Sequence, residues 1–488
     1  MDFVPQLATD SEVPLYRQLY AQIAGKIRSG EWPPGQRLPA TRELAGQLGL
    51  NRGTVAAAYE ALESEGLIAG QVGRGSFVAR PAASPGVQWT ALLDRAEPPL
   101  PAAVHGLAGS GISFMTSRPS SGLFPLDDFR SAAEAVLARA DLADILQLGS
   151  PSGYEPLRRY LLKKARSEGV AGQADDLIVT NGCQQALDLI GRVLLRAGDA
   201  VAVEDPIYPG LKSLLAGMGV RLCGIAVGAD GVDPAQAARI FERERQRLLI
   251  VTPNFQNPTG ATLPLAGRRA LLDAAGRAGV PVIENDPYGD LRYSGEPLAP
   301  LKQLDEHGGT VLLRSFSKIS FPGLRVGWAL GPKPLIDRLR HAKESADLHT
   351  DQLSQAVLLE FAESGRLEAH RARVLKAGAE RLAATLEGCR RWFPEGTRWT
   401  KPEGGMNVWV RLPDLLDAGE LLARARREGV TYLPGRYFAV VRAEGGALRL
   451  SFAGLEPEEI RRGLEILGGI FKGELRRSAN LDTAPAMV

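Results

Sequence analysis

Between Asp176 and Arg314 the chain repeats one pattern: a short β-branched or apolar run, a helical segment, then another run. Asp176–Thr180, Ala200–Glu204, Arg247–Thr252, Val280–Asn285 and Thr310–Arg314 are short enough to be strands and apolar enough to be buried. Strands separated by helices are joined by crossovers rather than hairpins. The pattern therefore predicts an α/β fold with a largely parallel sheet, beginning near Gly111. From roughly Pro332 a long helical stretch leads into a smaller α+β part, with strands near Met406–Arg411 and Ala447–Phe452. The closing GELRRSANLDTAPAMV has no periodicity and is expected to be a disordered tail over residues 476–488.

With 488 residues the chain is too long for one compact core and suits two or three domains. A hydrophobic share of 44% with 23% charged residues allows a large buried core. The net charge of +2 points to neither a nucleic-acid coat nor an acidic shell. Cys183, Cys223 and Cys389 lie far apart and form no C-x-x-C pair, which argues against a disulfide framework or a zinc site and fits a reducing cytoplasm. The opening MDFVPQLATDSEVPLY has neither a basic n-region nor an apolar h-region, and no apolar run nears the roughly 18 residues of a membrane helix. The expectation is a soluble, cytoplasmic protein with no metal site and no membrane partner.

Residues 1–80 read differently, as short amphipathic helices separated by turns. The first helix, near Pro14–Ser29, carries Leu15, Leu19, Ile23 and Ile27 on one face, and GEWPPGQRLPA ends it. A short helix over Thr41–Leu48, with Thr41 as its N-cap, is followed by the turn Gly49–Leu50–Asn51 and a third helix over Arg52–Glu65. Two short helices across a three-residue turn make a helix-turn-helix, which lays the start of its second helix in the DNA major groove. GLIAGQVGRGSFVAR then reads as a hairpin wing, with Gly73 and Gly75 around Arg74. Residues 81–110, rich in Pro, Ala and Gly, form a linker to the α/β part, residues 111–475, whose large and small portions divide near residue 335.

The run PPGQRLPATRELAGQLGLNRGTVAAAYEALESEGLI resembles the GntR-type winged helix over residues 11–80. The resemblance implies double-stranded operator DNA as a partner, contacted by Arg37, Arg42, Arg52, Thr54 and Gly75. Arginine offers paired donors to guanine edges or phosphates, and the Thr54 hydroxyl can reach a phosphate or a base edge. Bulk charge gives no support, since eight Lys and Arg balance eight Asp and Glu over residues 1–80. Placement does: Gln36–Ala58 holds three arginines against Glu43 alone.

The α/β part carries a second constellation. Lys318 lies in LLRSFSKISFPGLRVGW, where a desolvated amine of lowered pKa can form a Schiff base. Ser315, Ser317 and Arg325 beside it can cradle a phosphate. In TNGCQQALDLI a strand gives way to a helix, so Gly182, Cys183 and Gln184 can aim backbone N–H groups at the same anion. Tyr208 in EDPIYPG can stack on a pyridine face. Asn257 in TPNFQNPTG offers a donor to a ring oxygen, and ENDPYGDLRY adds an acid–amide pair and Tyr288. All five segments fall at strand ends.

In that order they resemble fold-type I aminotransferases of the aminoadipate/kynurenine branch over roughly residues 110–470. The resemblance implies pyridoxal 5'-phosphate as cofactor, with Lys318 as the Schiff-base lysine and Cys183, Gln184, Ser315, Ser317 and Arg325 on the phosphate. It implies Tyr208 stacked on the ring, Asn257 and Tyr288 on the ring hydroxyl, and Arg449 of LRLSFAG clamping a substrate carboxylate. A GntR-type winged helix linked to such a domain resembles the MocR/PdxR-like regulators, whose members form head-to-tail dimers; a homodimer is implied here.

Three positions depart from the enzyme pattern. Where the family reads E-D-D-P-Y, this chain has Glu284–Asn285–Asp286–Pro287–Tyr288, which puts Asn285 at the place of the carboxylate that pairs with the ring nitrogen. Either Asp286 takes over that contact or the ring is a weakened electron sink; strand alternation, which turns Asp286 to the other face, favours weakening. Leu148 stands where a tyrosine often reaches the phosphate across the dimer, and Ser117–Arg118–Pro119–Ser120 replaces G-x-P-D. The expected function is a pyridoxal-phosphate-dependent transcription regulator that senses a small amine, amino acid or B6 vitamer, with at most vestigial turnover. The alternative is an active aminotransferase with an accessory DNA-binding domain.

Overall fold

The computed structural model describes residues 5, 7–8, 13–71, 75–79, 111–441 and 443–482. The chain divides into two compact units, Met1–Glu97 and Pro98–Val488. The expected linker over residues 81–110 and the wing-tip residues Gly73 and Arg74 lie outside the described residues.

In the first unit α1 (Leu15–Arg28), α2 (Thr41–Leu48) and α3 (Arg52–Ser64) precede a hairpin of β1 (Ile68–Gln71) and β2 (Gly75–Val78). Leu19, Ile23, Leu44, Val55, Leu62, Ile68 and Val78 meet in one buried cluster, so every element contributes to a single small core. Gly49, in the left-handed region at φ 65°, ends α2 and frees the chain to turn. Thr41 is not the cap expected for α2: it is the first helical residue, and Ala40 occupies the cap without a side-chain hydrogen bond. Asn51 is a true cap, its side chain accepting from the Gly53 N–H at 2.8 Å.

In the second unit β3 (Ile112–Ser113) precedes an eight-stranded sheet. Its strands are β4 (Asp175–Thr180), β5 (Ala200–Asp205), β6 (Arg221–Gly228), β7 (Gly231–Val232), β8 (Leu248–Val251), β9 (Val282–Asn285), β10 (Thr310–Ser315) and β11 (Gly327–Pro332). The order is β4-β11-β10-β9-β8-β5-β6-β7. β10, β9, β8, β5 and β6 pair in parallel, as the alternating pattern requires. β11 runs antiparallel between β4 and β10, and β7 antiparallel to β6. The sheet is thus mixed at both ends and parallel at its centre.

The smaller part follows the helices Lys333–Asp347, Gln352–Glu363 and Arg366–Trp392. It contains β12 (Arg398–Trp399), β13 (Asn407–Arg411), β14 (Val430–Thr431), β15 (Leu433–Pro434) and β16 (Ala447–Ser451). Four strands pair in the order β12-β13-β16-β15, while β14 returns to pair with β3. The expected tail at 476 is corrected in part: the final helix continues from Pro457 to Asp482. Residues 483–488 lie outside the described residues. No described helix is long and apolar enough to cross a membrane.

Candidate cofactor and ligand site

The carboxyl ends of β4, β5, β8, β9 and β10 open onto one cavity of about 410 Å³, roofed by Met115–Ser117 and by Leu433 and Arg449 of the smaller part. At one end the helix Cys183–Leu194 begins. Its cap Gly182 has φ 78°, and a Cβ there would lie 2.5 Å from Arg325 Nη2, so only glycine lets the arginine close over the turn. Arg325 donates to the Ser317 hydroxyl and to the Asn181 carbonyl, each at 3.3 Å. The Ser315 hydroxyl donates to Ser317 Oγ at 2.9 Å. Backbone N–H groups, two hydroxyls and a guanidinium converge as an anion cup.

The cup is held from behind. Asp347 accepts from Asn181 Nδ2 at 2.8 Å, Gln185 Nε2 at 2.5 Å and the buried Lys343 ammonium at 2.7 Å. Gln184 lines the cavity and donates to the Gly210 carbonyl at 3.2 Å, tying the cup to the Tyr208 turn. Tyr208 is partly exposed at the cavity wall.

Lys318 lines the cavity and is half-buried. Its ammonium donates to the Ser117 carbonyl at 2.7 Å and lies 5.5 Å from the centre of the Tyr288 ring. Burial pushes its pKa down to about 8. Burial also pushes the Cys183 thiol up to about 12, which leaves it a neutral liner. Asn257 donates to the Tyr288 hydroxyl at 3.3 Å, a pair suited to a ring oxygen.

Arg449, on β16, is 4% exposed. It donates to Asn257 Oδ1 at 3.0 Å and to the Met115 carbonyl, and stacks on Phe438 at 5.1 Å. Its Nε has no partner, and no carboxylate pairs with it among the described residues. Desolvation lowers its pKa to about 10. A buried, unneutralised guanidinium is costly, and an incoming carboxylate would relieve that cost.

Two candidates at the end of β9 separate. Asn285 lines the cavity. Asp286 does not: it faces away, paired with Arg314 at 3.2 Å and accepting from Asn254 Nδ2 at 2.9 Å. The structure does not bring Asp286 to the cavity with the other candidates. Leu148 is 71% exposed.

Residues 120–467 match the family described as aminotransferase class I and II. The chain belongs to that family. Residues 15–78 match the bacterial gntR regulatory family, and the pair of domains makes this a MocR/PdxR-like chain. An aromatic-amino-acid aminotransferase 1 of Thermococcus litoralis is 35% identical over 75% of this chain and 89% of its own length. A probable rhizopine catabolism regulatory protein MocR of Rhizobium meliloti is 28% identical over 95% of each chain. The solved structure of a Pyrococcus horikoshii kynurenine aminotransferase superposes with a TM-score of 0.73 at 34% identity, covering 80% of this chain and 95% of that one.

For this MocR/PdxR-like chain pyridoxal phosphate is the expected cofactor, and the cavity fits it: an anion cup at one end, an amine of lowered pKa in the middle, and an amide–phenol pair for the ring oxygen. The structure brings together Lys318, Cys183, Gln184, Tyr208, Asn257, Asn285, Tyr288, Ser315, Ser317, Arg325 and Arg449 around it. Sequence reasoning missed the Ser117 and Met115 carbonyls, which as backbone groups leave no residue-type signal. It also missed Asp347 and Arg314. Arg314 had a signal: a charged residue inside the apolar β10, beside an acid at the end of the neighbouring strand.

Proposed function

We propose that this protein is a pyridoxal-phosphate-dependent, DNA-binding transcription regulator that senses a small amino-group ligand, preferably one bearing a carboxylate. The observation that carries this reading is a single chain joining a helix-turn-helix to a cavity that holds Lys318 and Arg449 with no acidic partner among the described residues. Bound pyridoxal phosphate supplies an aldehyde carbon to which amines add. Ser315, Ser317, Arg325 and the start of the Cys183 helix would hold its phosphate, Asn257 and Tyr288 would orient its ring oxygen, and Tyr208 would cover its face. Lys318 would hold it through its amine, and Arg449 would take the carboxylate of a ligand. The protein works as a homodimer, in the head-to-tail arrangement that the family resemblance implies.

The ligand changes transcription only if it binds two conformations of the protein unequally. Anisotropy of labelled DNA from upstream of the protein's own gene tests this, with and without pyridoxal phosphate and a panel of amino acids and amines. Affinity that changes with one ligand supports the proposal; affinity unchanged across the panel overturns it. A catalytic reading draws on the same Lys318 and Arg449, and its mark is steady conversion of an amino acid and a 2-oxo acid.

On the DNA side Arg37, Arg42 and Arg52 are exposed and unpaired among the described residues, with Thr54 half-buried on α3 and Gly75 opening β2. Arg52→Ala should cost about 1–3 kcal/mol of operator affinity if it reads a base, flattening discrimination between sequences. If it holds a phosphate instead, affinity falls alike on all sequences and the salt dependence drops by about one unit. An unchanged affinity in binding titrations would take Arg52 off the DNA.

The lowered pKa of Lys318, about 8, sets a pH dependence. Below that value the amine is mostly protonated and cannot attack, so the reactive fraction rises as pH rises and levels off above it. Capture of pyridoxal phosphate by the apoprotein, followed by stopped-flow absorbance, should quicken about tenfold from pH 6 to 7 and flatten above about 8. A profile still rising toward pH 10 would show an ordinary, solvated lysine.

A further inference from the structure

We infer that Asn285 meets the ring nitrogen of the bound cofactor and leaves that nitrogen unprotonated, so that the site holds an amine ligand as an adduct rather than converting it. The inference rests on the cofactor reading above. In pyridoxal phosphate the ring nitrogen lies opposite the aldehyde carbon. With the phosphate in its cup, the aldehyde at Lys318 and the ring oxygen at Asn257 and Tyr288, the nitrogen is turned toward the remaining wall, at the end of β9. There Asn285 is 8% exposed and no hydrogen bond holds its side-chain Oδ1 among the described residues, so the amide can turn its Nδ2 donor to an unprotonated nitrogen.

Three features combine against a proton on that nitrogen. An amide carries no charge, whereas a neighbouring carboxylate stabilises a pyridinium by direct attraction. Among the described residues no Asp or Glu lines the cavity, so no carboxylate there favours a pyridinium, and Arg449 adds a positive charge until a ligand carboxylate meets it. Asp286, the carboxylate next in sequence, is turned away and neutralised. Alternation along β9 places Ile283 against the core under the Cys183 helix, while Glu284 turns to the other face, where it accepts the Leu301 and Lys302 N–H groups at 2.8 Å. Asp286 is likewise fixed on the far side by Arg314 and Asn254. Arg314 thus acts as a positioning residue that pairs with Asp286 and holds it on the far side.

An unprotonated ring still offers its aldehyde to amines, but draws electrons poorly from a carbon bonded to the adduct nitrogen. Binding and turnover are thereby separated within one site.

The test is the nitrogen-15 chemical shift of ring-labelled pyridoxal phosphate in the holoprotein, by solid-state NMR, with and without an amino-acid ligand. The wild type should show the shift of a free pyridine. Asn285→Asp should move it to that of a pyridinium, and should speed conversion of the cofactor to its amine form by an amino acid at least tenfold. A pyridinium shift in the wild type overturns the inference, and that measurement stands even if the variant fails to fold. A wild type that never develops the visible band of bound pyridoxal phosphate instead overturns the cofactor reading beneath it.

Discussion

Lys318→Ala should abolish covalent capture of pyridoxal phosphate and, with it, every change in DNA binding that depends on amino ligands. Titration of the variant should show no visible band of lysine-bound cofactor and an affinity at least a hundredfold weaker, equivalent to about 2.7 kcal/mol. The loss should come without unfolding. Lys318 is half-buried, with its pKa already depressed to about 8, so the folded apoprotein bears the cost of holding that amine. Alanine removes the cost together with one hydrogen bond, to the Ser117 carbonyl. The anion cup is untouched, since Arg325, Ser315 and Ser317 hold one another and Asp347 holds the loop beneath them. Residual binding should therefore persist, driven by phosphate, and inorganic phosphate should compete with it. Wild-type behaviour of the variant in DNA titrations with cofactor and ligand would mean that the lysine is incidental.

How much of this architecture is legible in the sequence depends on which force fixes each element. α2 was readable to the residue, because Gly49 must end it and the apolar spacing defines it. Its N-cap was not: threonine is a good cap by type, but the chain reaches α2 through an extended Ala40, one residue earlier than side-chain chemistry suggests. The central strands were legible because they are continuous apolar runs. β11 was not, since GWALGP is short, rich in glycine and closed by proline, and its place between β4 and β10 comes from pairing partners distant in sequence. β6 likewise, beside the short edge strand β7, buries only Ile225 and Val227 and lacks the signature of a buried run.

The site divides in the same way. Side chains that carry chemistry by type, such as Lys318, Arg325 and Arg449, could be picked out by motif. What they do depends on contacts that motif reading does not hold. An arginine in a strand serves as readily in a structural ion pair as in a ligand clamp, and it is the absence of any carboxylate beside Arg449 among the described residues that favours a ligand role. The choice between Asn285 and Asp286 rested on strand alternation, which held, and Arg314 supplies the reason that Asp286 is stable on its own side.

Arg449→Gln should make the apoprotein more stable while removing its response to ligands that carry a carboxylate. The guanidinium is buried with its Nε unsatisfied and with no counter-ion among the described residues, and desolvation drags its pKa down to about 10, so the folded state carries an uncompensated charge. Removing such a charge relieves a penalty of about 1–3 kcal/mol, and the melting temperature should rise by a few degrees in calorimetry of the apoprotein. The same substitution deprives a ligand carboxylate of a buried, paired partner, which costs about 2–5 kcal/mol, or roughly 30- to 4,000-fold in affinity. Amines without a carboxylate should be affected far less, so selectivity should shift toward them. Arg449→Lys separates charge from geometry: it keeps the positive charge but loses the fork that reaches Asn257 and Met115 together, and should fall between the two. A variant that is less stable than the wild type yet binds carboxylate ligands normally would make Arg449 a structural residue, and the ligand would then have to be recognised through its amino group alone.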